Sequence, residues 1–189
     1  SGEILTKHCV YANGVIHGEY NEYDPIQGTV ICKTDYKHGK KHGQYLSYHM
    51  TDRIHKSLNY VDNELSGDCY IYDQTGSIAK EMHYVHGELH GSCRTYDMYG
   101  LTEVAQYSHG KEQGFTCKFN NEGKIVKCFV YLRGKLIAAL DYNNKNKLDS
   151  FQLCIPCTPA VGGLIAFAIV SMYYTVSQVV GALLQLFNK

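Results

Sequence analysis

One tyrosine recurs every 24 residues or so through the first three quarters of this 189-residue chain, and that period restricts the fold more than any other feature. Tyr11, Tyr36, Tyr60, Tyr84, Tyr107 and Tyr131 are separated by 25, 24, 24, 23 and 24 residues. Three positions after five of them stands a glycine: Gly14, Gly39, Gly87, Gly110 and Gly134. Asn63 fills the remaining slot, and asparagine is among the residues that best tolerate positive φ after glycine. A second glycine falls at offset seven in Gly18, Gly43, Gly67, Gly91 and Gly114, with Ala138 interrupting the sixth copy. An aromatic follows at offset twelve in Tyr23, Tyr48, Tyr72, Tyr96 and Phe119. Registers held over five or six copies define a repeat array, in which each unit covers its face only against its neighbours.

Each copy reads as a β-hairpin. In the fourth, Gly87 marks a tight turn, and residues 91–97 alternate small or aromatic with polar side chains as a half-buried strand does. Met98, Tyr99 and Gly100 turn the chain, and residues 101–107 return as the next strand. Gly28, Gly76 and Gly123 mark the equivalent turns, while the second copy carries Thr51, Asp52 and Arg53 there, a weaker turn signal. The expected architecture is mostly β: an elongated antiparallel meander of about six hairpins over residues 1–149.

The copies starting at Tyr11 (Tyr-Ala-Asn-Gly-Val-Ile-His-Gly-Glu-Tyr-Asn-Glu-Tyr) and Tyr36 (Tyr-Lys-His-Gly-Lys-Lys-His-Gly-Gln-Tyr-Leu-Ser-Tyr) carry the pattern Tyr-x-x-Gly-x-x-x-Gly-x-Tyr-x-x-Tyr. This pattern resembles the MORN repeat family in its Trp-poor variant, over residues 10–143. The chain departs from it in having no Trp, in Asn63, and in a sixth copy where Ile137, Ala138, Ala139 and Leu140 replace the second glycine. The resemblance implies a β-sheet used as a scaffold and implies no catalytic residues.

Beyond the repeats the composition breaks. Residues 150–189 hold one charge, Lys189, and all other Asp, Glu, Lys and Arg residues precede them. Pro156 and Pro159 end a linker over residues 150–159, and residues 160–187 read as one hydrophobic helix. Twenty-eight residues would make it about 42 Å long, against a hydrocarbon core about 30 Å thick, so one crossing fits and two do not. Ser171, Thr175, Gln178 and Gln185 share one face of that helix as a polar stripe, suited to packing against another membrane helix or to lining an oligomeric pore. The N-terminal stretch lacks an apolar leader. The expected arrangement is a single-pass C-terminal membrane anchor with the repeat domain on the cytosolic side.

Charge is balanced, 18 basic against 18 acidic residues, with no basic run, so nucleic acid is not an expected partner. Of eight cysteines, most fall among alternating apolar positions, where a thiol acts as a small hydrophobe. Cys154 and Cys157 form the one close pair; their place before the span permits S-acylation, while a zinc site would need a second pair that the sequence lacks. Six of ten histidines adjoin repeat glycines (His17, His38, His42, His86, His90 and His109) and follow the repeat rather than a metal motif, although stacked copies would bring His42 and His90 to one edge. No Gly-x-Ser-x-Gly, HExxH or phosphate-binding loop occurs. The expectations are therefore no catalytic residues, no cofactor and no metal. The tyrosines outside the main register, Tyr20, Tyr45, Tyr70 and Tyr99, are the candidate binding face, since Tyr supplies wide amphipathic contact at low entropy cost. The favoured function is a non-catalytic, membrane-anchored scaffold contacting membrane lipid and other proteins, as a homo-oligomer or in a large structural assembly. The alternatives are a pore-forming toxin and an immunity-type binding protein.

Overall fold

A computed structural model describes residues 6–154, and the linker beyond Cys154 and the helix expected over 160–187 lie outside the described residues. Fifteen strands form one antiparallel sheet: β1 (Lys7–Ala12), β2 (Val15–Tyr23), β3 (Val30–Lys37), β4 (Lys40–Tyr48), β5 (Ile54–Val61), β6 (Glu64–Leu65), β7 (Gly67–Tyr72), β8 (Ile78–Val85), β9 (Glu88–Leu89), β10 (Gly91–Asp97), β11 (Gly100–Ser108), β12 (Lys111–Phe119), β13 (Ile125–Leu132), β14 (Lys135–Tyr142) and β15 (Leu148–Leu153). Spatial order follows chain order, with β6 and β9 paired beside the main path on β5 and β8. The meander expected from the repeat is present. It also runs past its expected limit at residue 149, because β15 pairs Leu153 with Ala138 and Phe151 with Leu140. Ser150 opens the uncharged stretch, and that change of composition is not a change of backbone.

Two kinds of turn alternate along the chain. On one edge, paired left-handed residues close each hairpin: Asn13–Gly14, His38–Gly39, Asp62–Asn63, His86–Gly87, His109–Gly110 and Arg133–Gly134. A two-residue hairpin loop twists with its strands when both central residues have positive φ. Asn63 takes φ 75°, as its place in the glycine register requires. The residue before each glycine is equally constrained, with φ of 49–52°, and histidine holds that place three times. On the other edge an Asp or Asn opens five of the six turns and accepts backbone amides. Asp24 binds Ile26 and Gln27 at 2.8 and 2.7 Å, and Asp73, Asp97, Asn120 and Asn143 repeat the device. His49 stands in that place in the second copy, whose turn still closes through His49 N–H to Arg53 O at 2.7 Å, with Asp52 at φ 59°.

The cross-strand register explains why tyrosine and the second glycine repeat together. Tyr36 stands opposite Gly18, Tyr60 opposite Gly43, Tyr84 opposite Gly67, Tyr107 opposite Gly91 and Tyr131 opposite Gly114. Each tyrosine is thus paired with the glycine of the preceding copy, and all five of these glycines hold a φ of 76–103° that residues with a side chain rarely adopt. Gly43 shows the constraint most clearly: at φ +103°, a Cβ there would meet Asp35 Oδ2 at 3.1 Å and Asp35 Cβ at 3.2 Å. Gly43→Ala is expected to destabilise the sheet by about 1–3 kcal/mol through backbone strain and the Asp35 clash. Urea unfolding followed by tyrosine fluorescence measures it, and a change below about 0.5 kcal/mol would show that the backbone relaxes there.

Opposed residues share a face, so the pairing sorts the sheet into two. The first face carries Tyr20, Thr34, Tyr45 and Leu58 in one row of partners, and Cys93, Ala105, Thr116, Phe129 and Ala139 in another. Its centre is lined with small residues: Cys32, Thr34, Cys69, Cys93, Ala105 and Thr116 are all buried. The second face is polar at first, with Glu19 opposite Asp35, Gln44 opposite Asn59 and Arg94 opposite Glu81. Toward the C-terminal copies it becomes apolar and buried in Val104, Cys117, Cys128, Val130, Ala138 and Leu140. There Cys117 and Cys128, directly opposed on β12 and β13, are joined in a disulfide. This departs from the free-thiol expectation, because the repeat register gives no reason for two cysteines to face each other. Cys9, Cys32, Cys69, Cys93 and Cys154 are free among the described residues.

Candidate functional site

The four tyrosines expected to form a binding face do not share one. Tyr20 and Tyr45 project from the first face, both opposite Thr34 on β3. Tyr70 lies on the second face, opposite Ser57 and Glu81, with its ring 6.4 Å from that of Tyr72. Tyr99 sits in the turn between β10 and β11, 64 % exposed, where its amide donates to Asp97 Oδ1 at 2.8 Å. The reason is a shift of one residue: Tyr20 and Tyr45 stand nine positions after the repeat tyrosine and Tyr70 stands ten, and a shift of one reverses the face in a strand.

The structure instead joins Tyr20 and Tyr45 to tyrosines of the main register. Tyr20 packs edge-on against Tyr36 with centroids 5.9 Å apart, and Tyr45 against Tyr60 at 6.3 Å. Lys41 Nζ lies over both rings of the second pair, 5.5 Å from Tyr45 and 5.3 Å from Tyr60. Edge-to-face aromatic pairs and a shared cation are each favourable beyond simple burial. Burial pushes the phenols of Tyr36, Tyr45 and Tyr60 above their ordinary value, so they remain neutral donors at physiological pH. All four rings are half-buried. The result is a patch of amphipathic rings over β2–β5 with one cation over its second pair. The missing signal was cross-strand: each ring of the patch reaches its partner on the neighbouring strand, and offsets within one copy do not show that.

The nearest thing to reactive geometry lies at the turn between β11 and β12. Ser108 Oγ is 3.0 Å from His109 Nδ1, beside an open depression also lined by Lys111, Gln113, Leu132 and Arg133. A serine nucleophile needs its base oriented by a third group. Here the His109 imidazole packs against the His90 ring, with centroids 5.5 Å apart, and among the described residues no carboxylate bonds to it. Cys154 is exposed at the end of β15, and Cys157 lies outside the described residues. So do Ser171, Thr175, Gln178 and Gln185. Among the described residues no helix is long and apolar enough to cross a membrane.

No family model and no curated protein matches the chain. Among solved structures, the chain is similar to a mutant of S. aureus TarM in complex with fondaparinux, alpha-GlcNAc-glycerol and UDP, with a TM-score of 0.37 and 13% identity, covering 64% of this chain and 22% of that one. A second TarM crystal structure matches with a TM-score of 0.31 and 11% identity, covering 71% and 21%. The chain thus spans about a fifth of the TarM chains it matches, at a similarity too low to carry an argument about fold or function.

Proposed function

We propose that this protein is a non-catalytic repeat scaffold of the MORN type, held at a membrane by its C-terminal segment and presenting the tyrosine patch of β2–β5 to another protein. The observation that carries the reading is the patch itself: four half-buried rings locked in two edge-to-face pairs, with Lys41 over the second pair. Rigid rings lose little entropy on binding, and tyrosine offers both apolar area and a hydroxyl, the combination that protein interfaces favour. The Ser108–His109 contact supports no catalytic role in this reading, for want of a third group to orient the base. Residues 160–187 supply the anchor, with the repeat domain on the cytosolic side.

Two measurements on the full chain test the two halves. A photoreactive phenylalanine at Tyr20 or Tyr45 should cross-link a discrete partner in the native membrane, and one at Tyr70 should not. Equal labelling from both faces would remove the patch from the reading. The full chain should resist carbonate extraction, and Ile169→Arg should weaken insertion by about 2.5–3.5 kcal/mol and move protein to the soluble fraction. Wild-type protein found in that fraction would refute the anchor.

A further inference from the structure

The turn edge stacks histidines in pairs, and the cause is a backbone bond that recurs between copies. The turn residue at each first-glycine position donates its amide to a carbonyl of the preceding copy: Gly39 to Ile16 at 2.8 Å, Asn63 to Lys41 at 2.9 Å, Gly87 to Leu65 at 2.9 Å, Gly110 to Leu89 at 3.0 Å and Gly134 to Glu112 at 2.9 Å. The residue before each turn glycine is thereby brought against the residue before the previous copy's second glycine. His38 meets His17, with ring centroids 5.0 Å apart, and His109 meets His90 at 5.5 Å. At the same place in other copies, Asp62 meets His42 at 3.4 Å, and Arg133 donates its amide to Gln113 Oε1 at 2.7 Å.

From this geometry we infer two bidentate binding sites for a divalent cation of borderline softness, such as Zn(II), one between His17 and His38 and one between His90 and His109. A metal about 2.1 Å from one nitrogen of each ring, at an angle between square and tetrahedral, sets the ring centroids about 4.6 to 5.3 Å apart. The first pair has that separation and the second needs a shift of a few tenths of an ångström; both rest edge-on, at interplanar angles of 63° and 87°, so the rings must also turn to bring one nitrogen of each onto the ion. Imidazole is the natural ligand for Zn, Cu and Ni. In His109, Ser108 Oγ engages Nδ1 at 3.0 Å, which orients the ring and leaves Nε2 as the ligand atom. In His17, Nδ1 faces the His38 amide at 3.4 Å, a contact long enough to be given up for either tautomer. The third close pair, His49 and His55, is different. Its rings are 4.4 Å apart and tilted by only 37°, and His49 Nε2 is engaged by Tyr72 O at 3.2 Å.

Among the described residues no group of three or more His, Cys, Asp or Glu side chains is placed to hold a metal. Each site therefore supplies two ligands and leaves the remaining positions to water or to another molecule, so the bound ion is exchangeable. Lys111 and Arg133 line the same depression as His109, which makes the His90–His109 site the weaker of the two.

The test is calorimetric titration of the full chain with Zn(II), after alkylation of accessible thiols, with the histidine ring protons followed by NMR. Two equivalents should bind, and the ring signals of His17, His38, His90 and His109 should move together. His38→Asn should abolish the tighter event and His109→Asn the weaker, each lowering affinity at its own site by at least about tenfold. Asn suits both turns, because Asn13 holds the equivalent place at φ 52°. His17→Gln and His90→Gln, which change the strand partner and not the turn, should give the same losses. A wild-type chain that takes up no Zn(II), or a His38→Asn/His109→Asn double variant that binds it like wild type, would overturn the inference.

Discussion

A chain ending at Cys154 should be more stable than one ending at Asp149 by roughly 2–4 kcal/mol, although the two differ by only five residues. Those residues are most of β15. Its pairing sets Phe151 opposite Leu140 and Leu153 opposite Ala138, and both partners on β14 are buried. Removal would also leave the Ile137 carbonyl without the Cys154 amide at 2.8 Å, and Asp141 without the Ser150 hydroxyl at 2.9 Å. Phe151 is 40 % exposed and Leu153 half-buried, so the apolar cover lost is a part of the roughly 1.5–3 kcal/mol of a fully buried side chain. It adds to ladder hydrogen bonds of about 1 kcal/mol each, and the entropy regained by a short terminal strand offsets part of the sum. A newly bare β14 edge should also promote association. Urea midpoints of the two truncated chains, with sedimentation to read association, give the answer; equal midpoints would mean that β15 adds nothing to the sheet.

Strand existence and order were legible because one period was written six times. The glycine and tyrosine registers follow from a single cross-strand pairing of Tyr36 with Gly18, repeated four more times, so reading either register finds the sheet. The substitution of Asn63 for glycine was equally legible, since a left-handed turn position admits few residues. The binding face was not legible in the same way. Tyr45 and Tyr70 are alike in composition, and only the one-residue difference in offset, carried through a two-residue strand period, separates their faces. The histidine pairs were hidden for a related reason. The sequence suggested that His42 and His90 share an edge because they occupy the same offset. The backbone bond between copies pairs different offsets of consecutive copies instead, giving His17 with His38 and His90 with His109. The sheet runs past the expected end because charge stops at Asp149 while the strand continues to Leu153.

Reduction of the Cys117–Cys128 disulfide should lower stability by about 3 kcal/mol, the loop-closure value for cysteines 11 residues apart. The bond clamps β12 to β13 across the turn that Asn120 opens, in the part of the second face where Val104, Val130, Ala138 and Leu140 are also buried. The expected measurement is a urea midpoint that falls when reductant is added. A Cys117→Ala/Cys128→Ala chain should start at the lower midpoint and be insensitive to reductant. Apart from half-buried Cys9, the remaining described thiols divide cleanly. Burial pushes the Cys32, Cys69 and Cys93 thiols above their ordinary value, so these three should alkylate only on unfolding, whereas exposed Cys154 should react at once. Peptide mapping of the purified, air-oxidised chain without reductant should therefore recover residues 117 and 128 linked and Cys154 alkylated, and alkylation at both 117 and 128 in that sample would refute the bond. The same map reads the side of the membrane. Thiols facing a reducing cytosol stay reduced, and a disulfide persists in an oxidising compartment. Protein alkylated inside intact cells and found with 117 and 128 linked would thus place the repeat domain opposite to the cytosolic side proposed for it, and the anchor would have to be redrawn with its polarity reversed.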